Sequence, residues 1–311
     1  MSDAIDSTLL DEIVERTING AWLQWRSLGS QVSATGSARY MVDPEALVLI
    51  SLALRDHERR LRDVLASWAA SDAGGLSVQR MKNLAGKFPG RVKGRLAEFA
   101  LIALEDGGDH RWMRLAGAGP TTRARGKELG APDRKGWDPA ALMVRLRLGM
   151  GVGLHADILS FLLALRGEWA SVRLVADATG YNAYAIRRTA EKLAEARFIE
   201  STGEKPLEYR ADPSAWKGAL GLTQEVSPWR FWFQAYALVA DLMAAAEDDA
   251  LRAPSSYVLS SRLRDLMEKH QDALRLNRIP APDASQFKGE AYLEAFGEIM
   301  KNMGTWLSEG T

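Results

Sequence analysis

The sequence predicts a mainly α-helical, multi-domain protein in which strands occur only in short hairpins. At 311 residues, 47% of them hydrophobic, the chain is long enough for two or three domains that each bury a core. Apolar residues recur through most of the chain at the three- and four-residue spacing of amphipathic helices. Three helix starts are indicated by a capping residue followed by proline, at Asp43, Asp138 and Ser227.

The clearest order of elements lies in residues 154–210, where three predicted helices precede a hairpin. Gly180 stands where the second helix must end with a residue that tolerates a positive φ angle. Asn182 stands where the third helix needs an acceptor for its free N–H groups. The stretch ESTGEKPLEYR then places glycine and proline turn residues between two short strands. The inward positions of the first and third helices are Ile158, Phe161, Leu162 and Leu165, then Ile186, Ala190 and Leu193.

The run LVADATGYNAYAIRRTAEKLAEARFI resembles the DNA-binding core of bacterial winged helix-turn-helix transcriptional regulators. The resemblance is limited to residues 154–210, about a fifth of the chain. It implies a recognition helix, a hairpin wing and a role in binding double-stranded DNA. One departure is Arg197, where the family has a glycine that ends the recognition helix. Winged helices also serve as protein-interaction modules, so the fold alone does not define the role. The matching positions are Leu174, Gly180, Tyr181, Asn182, Ile186, Leu193, Phe198 and Ile199.

Five side chains of this segment are candidate DNA contacts, since such a helix must present donors to bases and cations to phosphates. Arg187 or Arg188 can pair with guanine, and Tyr184 can contact a phosphate or a thymine methyl group. Asn182 caps the helix where backbone N–H groups can meet a phosphate, and Lys205 lies near the predicted wing tip. The alternative is that the arginines pair with nearby glutamates on a solvated face. Residues 172–210 hold seven Lys/Arg and six Asp/Glu, seven minus six or only +1.

A second candidate DNA footprint is a basic stretch, residues 77–96. The formal charge of the whole chain is zero, but this stretch has six cations and no acid, six minus zero or +6. Residues 222–311 instead have nine Lys/Arg against thirteen Asp/Glu, nine minus thirteen or −4. Six cations on one surface would give strongly salt-dependent binding, because each neutralised phosphate releases counterions. The predicted contacts are Arg80, Lys82, Lys87, Arg91, Lys93 and Arg95.

Residues 58–116 have the pattern of a second, degenerate winged helix. Val78, Met81 and Leu84 would face inward in one helix, with the turn at residues 88–90. The segment EDGGDHRWMRL would form a wing with two glycines at its tip. The alternative is an all-helical domain whose basic face is solvated.

Domain boundaries follow from a basic, glycine- and proline-containing stretch that starts at residue 117. We expect an N-terminal helical domain at 1–116, a linker at 117–145, the winged helix at 146–216, and a helical dimerisation or interaction domain at 217–311. A basic loop ordered by DNA phosphates is an alternative to a plain linker. The sequence GxGxG at residues 149–153 is interpreted as a flexible lead into the winged helix, because a dinucleotide site also needs a preceding strand. The linker cations are Arg123, Arg125, Lys127, Arg134 and Lys135.

An aromatic cluster lies between residues 229 and 236. Five aromatic side chains within eight residues cannot all face one side of a helix, so at least one is expected to meet a partner or another domain. Core packing and a dimer interface are both open at this point. The residues assigned to a dimer or partner interface are Trp229, Trp232, Phe233 and Tyr236.

Several function classes are disfavoured by composition and motifs. The chain has no cysteine, and its four histidines are far apart, so neither a metal site nor another cofactor is expected. No sequence motif pairs a nucleophile with a base, and an enzyme is therefore not predicted. The apolar runs are too short to cross a bilayer, and the acidic N-terminus is unlike a signal peptide. A cytoplasmic location is expected.

These patterns together predict a dimeric, sequence-specific DNA-binding transcriptional regulator, with a repressor favoured over an activator. The alternative is a winged-helix module that binds a protein, such as an antitoxin or a complex subunit, with little or no DNA binding. Surface charge around residues 184–188 and 77–93 should separate the two. A continuous positive face favours DNA, and a neutral or apolar face favours a protein partner.

Overall fold

A computed structural model describes residues 7–118, 138–248 and 255–310, and these form a mainly helical chain with one small sheet. The N-terminal helices are α1 (Ser7–Ser27), α2 (Pro44–Leu54), α3 (Arg60–Ser71), α4 (Val78–Ala85), α5 (Gly90–Glu105) and α6 (Met113–Ala116). The central elements are α7 (Leu142–Met150), α8 (Leu154–Ala164), β1 (Ala170–Ser171), α9 (Val172–Thr179), α10 (Ala183–Glu195), β2 (Glu200–Ser201), β3 (Glu208–Arg210) and α11 (Pro213–Ala219). The C-terminal helices are α12 (Trp232–Glu247), α13 (Ser256–Lys269), α14 (Gln271–Asn277) and α15 (Tyr292–Ser308).

Two of the three predicted helix starts are confirmed. Asp43 Oδ1 accepts the backbone N–H of Ala46 at 3.0 Å and caps α2. Asp138 caps the short 3-10 turn that leads into α7. The third start, after Ser227, is wrong, because α12 begins only at Trp232. The side chain of Asn277 bonds both the N–H and the C=O of Phe231, which holds the backbone there out of a helix.

The larger of two hydrophobic cores combines helices from both ends of the chain. Helices α1 to α5 pack with α12 to α15 around buried side chains such as Trp25, Leu47 and Phe296. Helix α1 lies along α15, and α2 lies along α12. The prediction of a separate C-terminal domain at 217–311 is therefore wrong, because α12 to α15 share their buried surface with the N-terminal helices.

The smaller core is built from α7 to α10, the sheet and the chain that follows it. The sheet has the strand order β1-β3-β2, and both pairs are antiparallel. Buried side chains of this core run from Leu142 to Val226 and include Met41 from the loop before α2. The predicted domain at 146–216 therefore covers most of this unit but starts too late and ends too early.

Three of the four predicted dimer residues are buried, and the fourth, Trp229, is half-buried against the smaller core. Trp232 and Tyr236 are 2% and 0% exposed within the larger core, and Phe233 is buried beside them. Trp229 and Phe231 pack edge-on against Phe161 of the smaller core. The assignment of the aromatic cluster to a dimer interface is wrong, because Trp229 and Phe231 pack on the smaller core and Trp232, Phe233 and Tyr236 lie in the larger core of the same chain.

The second winged helix predicted at 58–116 is wrong in its wing. Helices α4 and α5 form around the predicted turn, but residues 105–116 hold a 3-10 turn and α6 in place of a hairpin. Within the described ranges the three strands all belong to residues 170–210. Gly107 explains the tight return, since a Cβ atom there would lie 2.7 Å from the carbonyl oxygen of Ala103 and 2.9 Å from that of Ala69.

The GxGxG sequence forms the turn between α7 and α8. Gly151 and Gly153 have φ angles of 86° and 150°, which favour glycine. A helix precedes them, so the preceding strand of a dinucleotide site is missing from this part of the chain. The cations predicted in the linker at 123–135 lie outside the described residues. Of the helices described, none combines the length and the apolar character required to cross a bilayer.

Candidate nucleic-acid interface

Helix α10 presents one polar face to solvent because capping residues fix its start and apolar residues anchor its opposite face. Ser171 caps α9, and Gly180 ends that helix with a φ angle of 73°. Asn182 Oδ1 then accepts the N–H of Ala185 at 2.8 Å and starts α10. The opposite face of α10 is anchored in the smaller core by Ile186, Ala190 and Leu193.

The predicted contact residues of α10 all reach solvent. Asn182, Arg187 and Arg188 are exposed, and Tyr184 is 70% exposed, the highest value among the large hydrophobic side chains described. The Arg188 guanidinium lies 5.8 Å from the centre of the Tyr184 ring. Arg187 Nε donates to Glu191 at 2.9 Å, which is one of the pairings foreseen for a solvated helix face.

The hairpin of β2 and β3 lies beside this face and carries exposed Lys205 near its tip. A groove of about 810 Å³ separates the hairpin from α10. Its charged lining residues are three cations and two acids, three minus two or +1. They are Arg173, Arg187, Lys205, Glu191 and Glu204. The groove is therefore polar and close to neutral.

Arg197, where the resemblance leads one to expect a helix-ending glycine, has a left-handed backbone conformation with a φ angle of 61°. The N–H of Arg197 bonds the carbonyl of Ala194 at 3.0 Å, and the N–H of Phe198 bonds that of Leu193 at 2.9 Å. This pair of hydrogen bonds is the Schellman motif that ends many helices. The departure in sequence therefore leaves the end of α10 geometrically regular.

The basic stretch at 77–96 is not one positive surface. Arg80 is completely buried, so its assignment to DNA contact is wrong. Arg95 bonds the carbonyl oxygens of Leu52 and Ala53 and pairs with Asp56, while Arg91 pairs with Glu247. Half of the predicted cations therefore serve contacts within the fold. Lys87 and Lys93 are exposed and Lys82 is half-buried, which leaves these three at the surface.

Arg80 belongs to a chain of buried charges between the two cores, which we call the buried ionic cluster: Asp43, Arg80, Glu45, Arg147 and Asp157. Each Arg80 terminal nitrogen bonds Asp43, at 2.6 and 2.5 Å, and Arg80 also pairs with Glu45. Arg147 Nη1 lies 2.7 Å from Glu45 Oε1, and its Nε lies 2.7 Å from Asp157 Oδ1. All five side chains are at most 1% exposed.

The ionisation of this cluster is set by competition between burial and neighbouring charge. Burial raises the pKa of Glu45, but the guanidinium groups of Arg147 and Arg80 outweigh burial and lower this pKa to about 2. Burial disfavours the charged form of Arg80, while Asp43 and Glu45 favour it, and the net direction of its pKa is upward. Glu45 and both guanidinium groups are therefore charged at neutral pH although they are buried.

The cluster touches the turn that precedes α10. Arg80 Nε donates to the carbonyl oxygen of Thr179 at 2.6 Å. The Tyr181 hydroxyl donates to Asp157 Oδ2 at 3.1 Å and lies 3.0 Å from the Ser77 hydroxyl. Burial, and next the charge of Asp157, raise the pKa of Tyr181, so its hydroxyl keeps its proton. Residues on both sides of Gly180 are thus tied to the cluster.

Helix α4 packs directly on the same turn. Asn83 Nδ2 donates to the carbonyl oxygen of Gly180 at 3.2 Å. A Cβ atom on Gly180 would lie 2.5 Å from Leu84 Cδ2, so any larger residue there would force the buried Leu84 side chain to shift. Helix α4 therefore borders the N-terminus of α10. Two of the remaining surface cations are near it: Lys82 lies on α4, and Lys87 lies two residues beyond its end.

Four of the five residues of the buried ionic cluster were not predicted as site residues from the sequence. Asp43 was assigned only as a cap, and Glu45, Arg147 and Asp157 received no role. One signal was present, since each stands in or beside a mostly apolar helix: PEALVLISLAL, LMVRLRLGM and LHADILSFLLA. A charge in a helix that is buried on all sides requires a partner. In the described residues, no group of His, Asp and Glu is arranged to hold a metal ion.

Comparison with known proteins returned no relative: no protein-family model, no curated protein and no solved structure matched the chain.

Proposed function

We propose that residues 154–210 form a winged helix-turn-helix that binds double-stranded DNA, and that the protein is a sequence-specific transcriptional regulator. The observation that carries this proposal is the pairing of α10 with the hairpin. One face of α10 is anchored in the smaller core, and the other exposes Asn182, Tyr184 and Arg188 beside a hairpin that bears Lys205. A recognition helix and a wing have this relation in winged-helix proteins.

Each exposed group has a distinct role in this proposal. Among the residues that the structure describes, Arg187 pairs with Glu191 and Arg188 has no such carboxylate partner, so Arg188 is the stronger candidate for a guanine edge in the major groove. The N-terminus of α10 offers backbone N–H groups to a phosphate. Lys205 at the wing supplies a phosphate contact on the flanking backbone. Half-buried Lys82 on α4 and exposed Lys87 after it are further candidates for phosphate contacts.

A second candidate is a winged-helix module that binds a protein partner. It is favoured by the near-neutral charge of the groove, where Glu191 and Glu204 stand opposite three cations. Exposed Tyr184 suits a protein contact as well as a thymine methyl group, because tyrosine is enriched in protein interfaces. The two candidates differ in their dependence on salt.

Fluorescence anisotropy against a duplex recovered by selection from a random pool tests the proposal. The dissociation constant is measured from 50 to 300 mM salt. We expect binding that weakens steeply with salt, and we expect Lys205→Ala to lower the slope of log K against log salt by about 1. Arg188→Ala should lower affinity for the selected duplex by about 1–3 kcal/mol. The matched controls are Arg59→Ala for Arg188→Ala and Lys301→Ala for Lys205→Ala. Arg59 is exposed directly before α3, and Lys301 is exposed on α15.

Binding of no duplex at 50 mM salt would remove the DNA-binding proposal and leave the protein-partner candidate. Equal losses in Arg188→Ala and Arg59→Ala would also contradict it, because the effect would then not be specific to α10.

A further inference from the structure

The buried ionic cluster lies where the larger core meets the smaller one. Asp43 and Glu45 belong to the start of α2, and Arg80 belongs to α4, both elements of the larger core. Arg147 and Asp157 belong to α7 and α8 of the smaller core. Glu45 alone accepts from both arginines. The cluster is therefore an electrostatic joint between the two halves of the fold.

Such a joint specifies one geometry, because buried charges tolerate little displacement. Two guanidinium groups and three carboxylates are removed from water here, and each charge has a partner at hydrogen-bond distance. A shift of one core against the other by an ångström or two would leave a buried charge unpaired, which is strongly unfavourable. Apolar packing alone is less selective, since it has no directional hydrogen bonds.

The joint is connected to the candidate recognition helix by hydrogen bonds to the two residues on either side of Gly180. Arg80 holds the carbonyl of Thr179, the last residue of α9. Tyr181 holds Asp157 and Ser77 through its hydroxyl, and the next residue, Asn182, is the cap of α10. The start of α10 is thus fixed to the larger core as well as to its own unit.

We propose that Arg80 and Tyr181 are positioning residues for DNA recognition: they set the orientation of α10 relative to helix α4 and control sequence-specific affinity without touching DNA. This inference rests on the proposed function. It replaces a direct role for Arg80 with an indirect one. The burial of the Arg80 guanidinium agrees with this indirect role, because its hydrogen bonds go to Asp43, Glu45 and Thr179 inside the protein.

Tyr181→Phe in the full-length protein is the central test, because it removes one hydroxyl and preserves the ring. The matched control is Tyr236→Phe, which removes a buried hydroxyl of the larger core that accepts from Gln24 at 2.5 Å. Arg80→Lys is the second variant, since it retains the charge but lacks the Nε donor to Thr179. Two probes are used: the selected duplex and a scrambled duplex of the same length and composition.

We expect Tyr181→Phe and Arg80→Lys to weaken binding of the selected duplex by about tenfold, the cost of misplacing one or two base contacts. Binding of the scrambled duplex and the salt slope should stay within twofold of wild type, because the phosphate contacts remain. Tyr236→Phe should change neither. A loss that is equal for both probes, or equal in Tyr236→Phe, would overturn the proposal, since general destabilisation would then explain it.

Hydrogen exchange of the free protein separates failure of this inference from failure of the proposed function. We expect Tyr181→Phe to accelerate exchange at residues 183–187 more than at residues 233–240 of α12, with the reverse order in Tyr236→Phe. If the wild type selects no duplex, the DNA role fails for both proposals. If duplexes are selected but exchange at 183–187 is unchanged in Tyr181→Phe, the positioning role alone is wrong.

Discussion

The Nε atom of Arg80 donates to the carbonyl oxygen of Thr179 at 2.6 Å, across 99 residues of sequence. This bond joins α4 of the larger core to the last residue of α9, and the same guanidinium also binds Asp43 and Glu45. A side chain that belongs by sequence to a basic surface is therefore the centre of an internal contact. We therefore expect changes at Arg80 to affect both stability and the start of α10.

Arg80→Ala should destabilise the protein by about 3–5 kcal/mol, because it leaves Asp43 and Glu45 buried with too little positive charge. Chemical denaturation followed by circular dichroism measures this change. Lys87→Ala, at an exposed position of the same basic stretch, should stay within about 0.5 kcal/mol of wild type. Similar losses in the two variants would contradict the buried ionic cluster.

Glu45 should make stability depend on acid pH. Its pKa is about 2 in the folded protein against an ordinary value of 4.5, so the folded state binds its proton less readily. The stabilisation is complete above about pH 4.5 and is lost as the pH falls towards 2, an effect of about 3 kcal/mol from one carboxyl group. Urea denaturation between pH 2 and 6 measures it.

Glu45→Gln should flatten this acid dependence and lower stability at neutral pH, while Glu298→Gln at an exposed site of α15 serves as the control. An acid dependence in Glu45→Gln that is as steep as in wild type would show that other carboxyl groups cause it.

Gly180→Ala should destabilise the protein more than Gly203→Ala. The φ angles of Gly180 and Gly203 are 73° and 72°, so both substitutions carry the same backbone penalty of about 1–2 kcal/mol. A Cβ atom on Gly180 would also meet Leu84 at 2.5 Å, whereas the space around Gly203 is open within 4 Å. The clash should add at least about 1 kcal/mol.

The double variant Gly180→Ala/Leu84→Ala provides the check on this explanation. If the clash is real, the two losses combine to less than their sum in thermal or chemical denaturation. Additive losses would place the cost in the backbone alone.

Arg197→Gly should stabilise the protein by about 0.5–1 kcal/mol, because a glycine adopts the φ angle of 61° at lower cost. Ala196→Gly is the matched control one residue earlier, where the backbone is right-handed helical with a φ angle of −75°. That change should destabilise by about 0.5–1 kcal/mol. A higher melting temperature than wild type in Arg197→Gly together with a lower one in Ala196→Gly supports the Schellman geometry. Changes of the same sign in both variants contradict it.

Local features of the fold were well predicted because short-range chemistry determines them. Asp43 and Asn182 cap their helices, and Gly180 has its left-handed conformation, each as a consequence of one side chain and its next few residues. The mainly helical class is confirmed for the same reason, since the spacing of apolar residues is read within one turn or two. The exposed positions of Tyr184, Arg187 and Arg188 also agree with that spacing.

Long-range features were predicted poorly. For the aromatic cluster the sequence left core packing and a dimer interface as alternatives, whereas Trp232 and Tyr236 enter one core and Trp229 packs on the other. The pattern of apolar residues shows that a side chain is buried but not which surface covers it. The C-terminal helices likewise carry no local mark of their packing on α1 and α2.

The mainly helical character of this chain, the capped turn at the start of α10 and the polar face of that helix all follow from local sequence. Which cations reach solvent depends instead on how distant segments pack together. Lys87 and Arg80 look alike in a basic stretch, yet one is exposed and the other is completely buried. The physical reason is that a buried charge requires opposite charges at hydrogen-bond distance, and Arg80 finds them in Asp43 and Glu45, which only folding brings within reach.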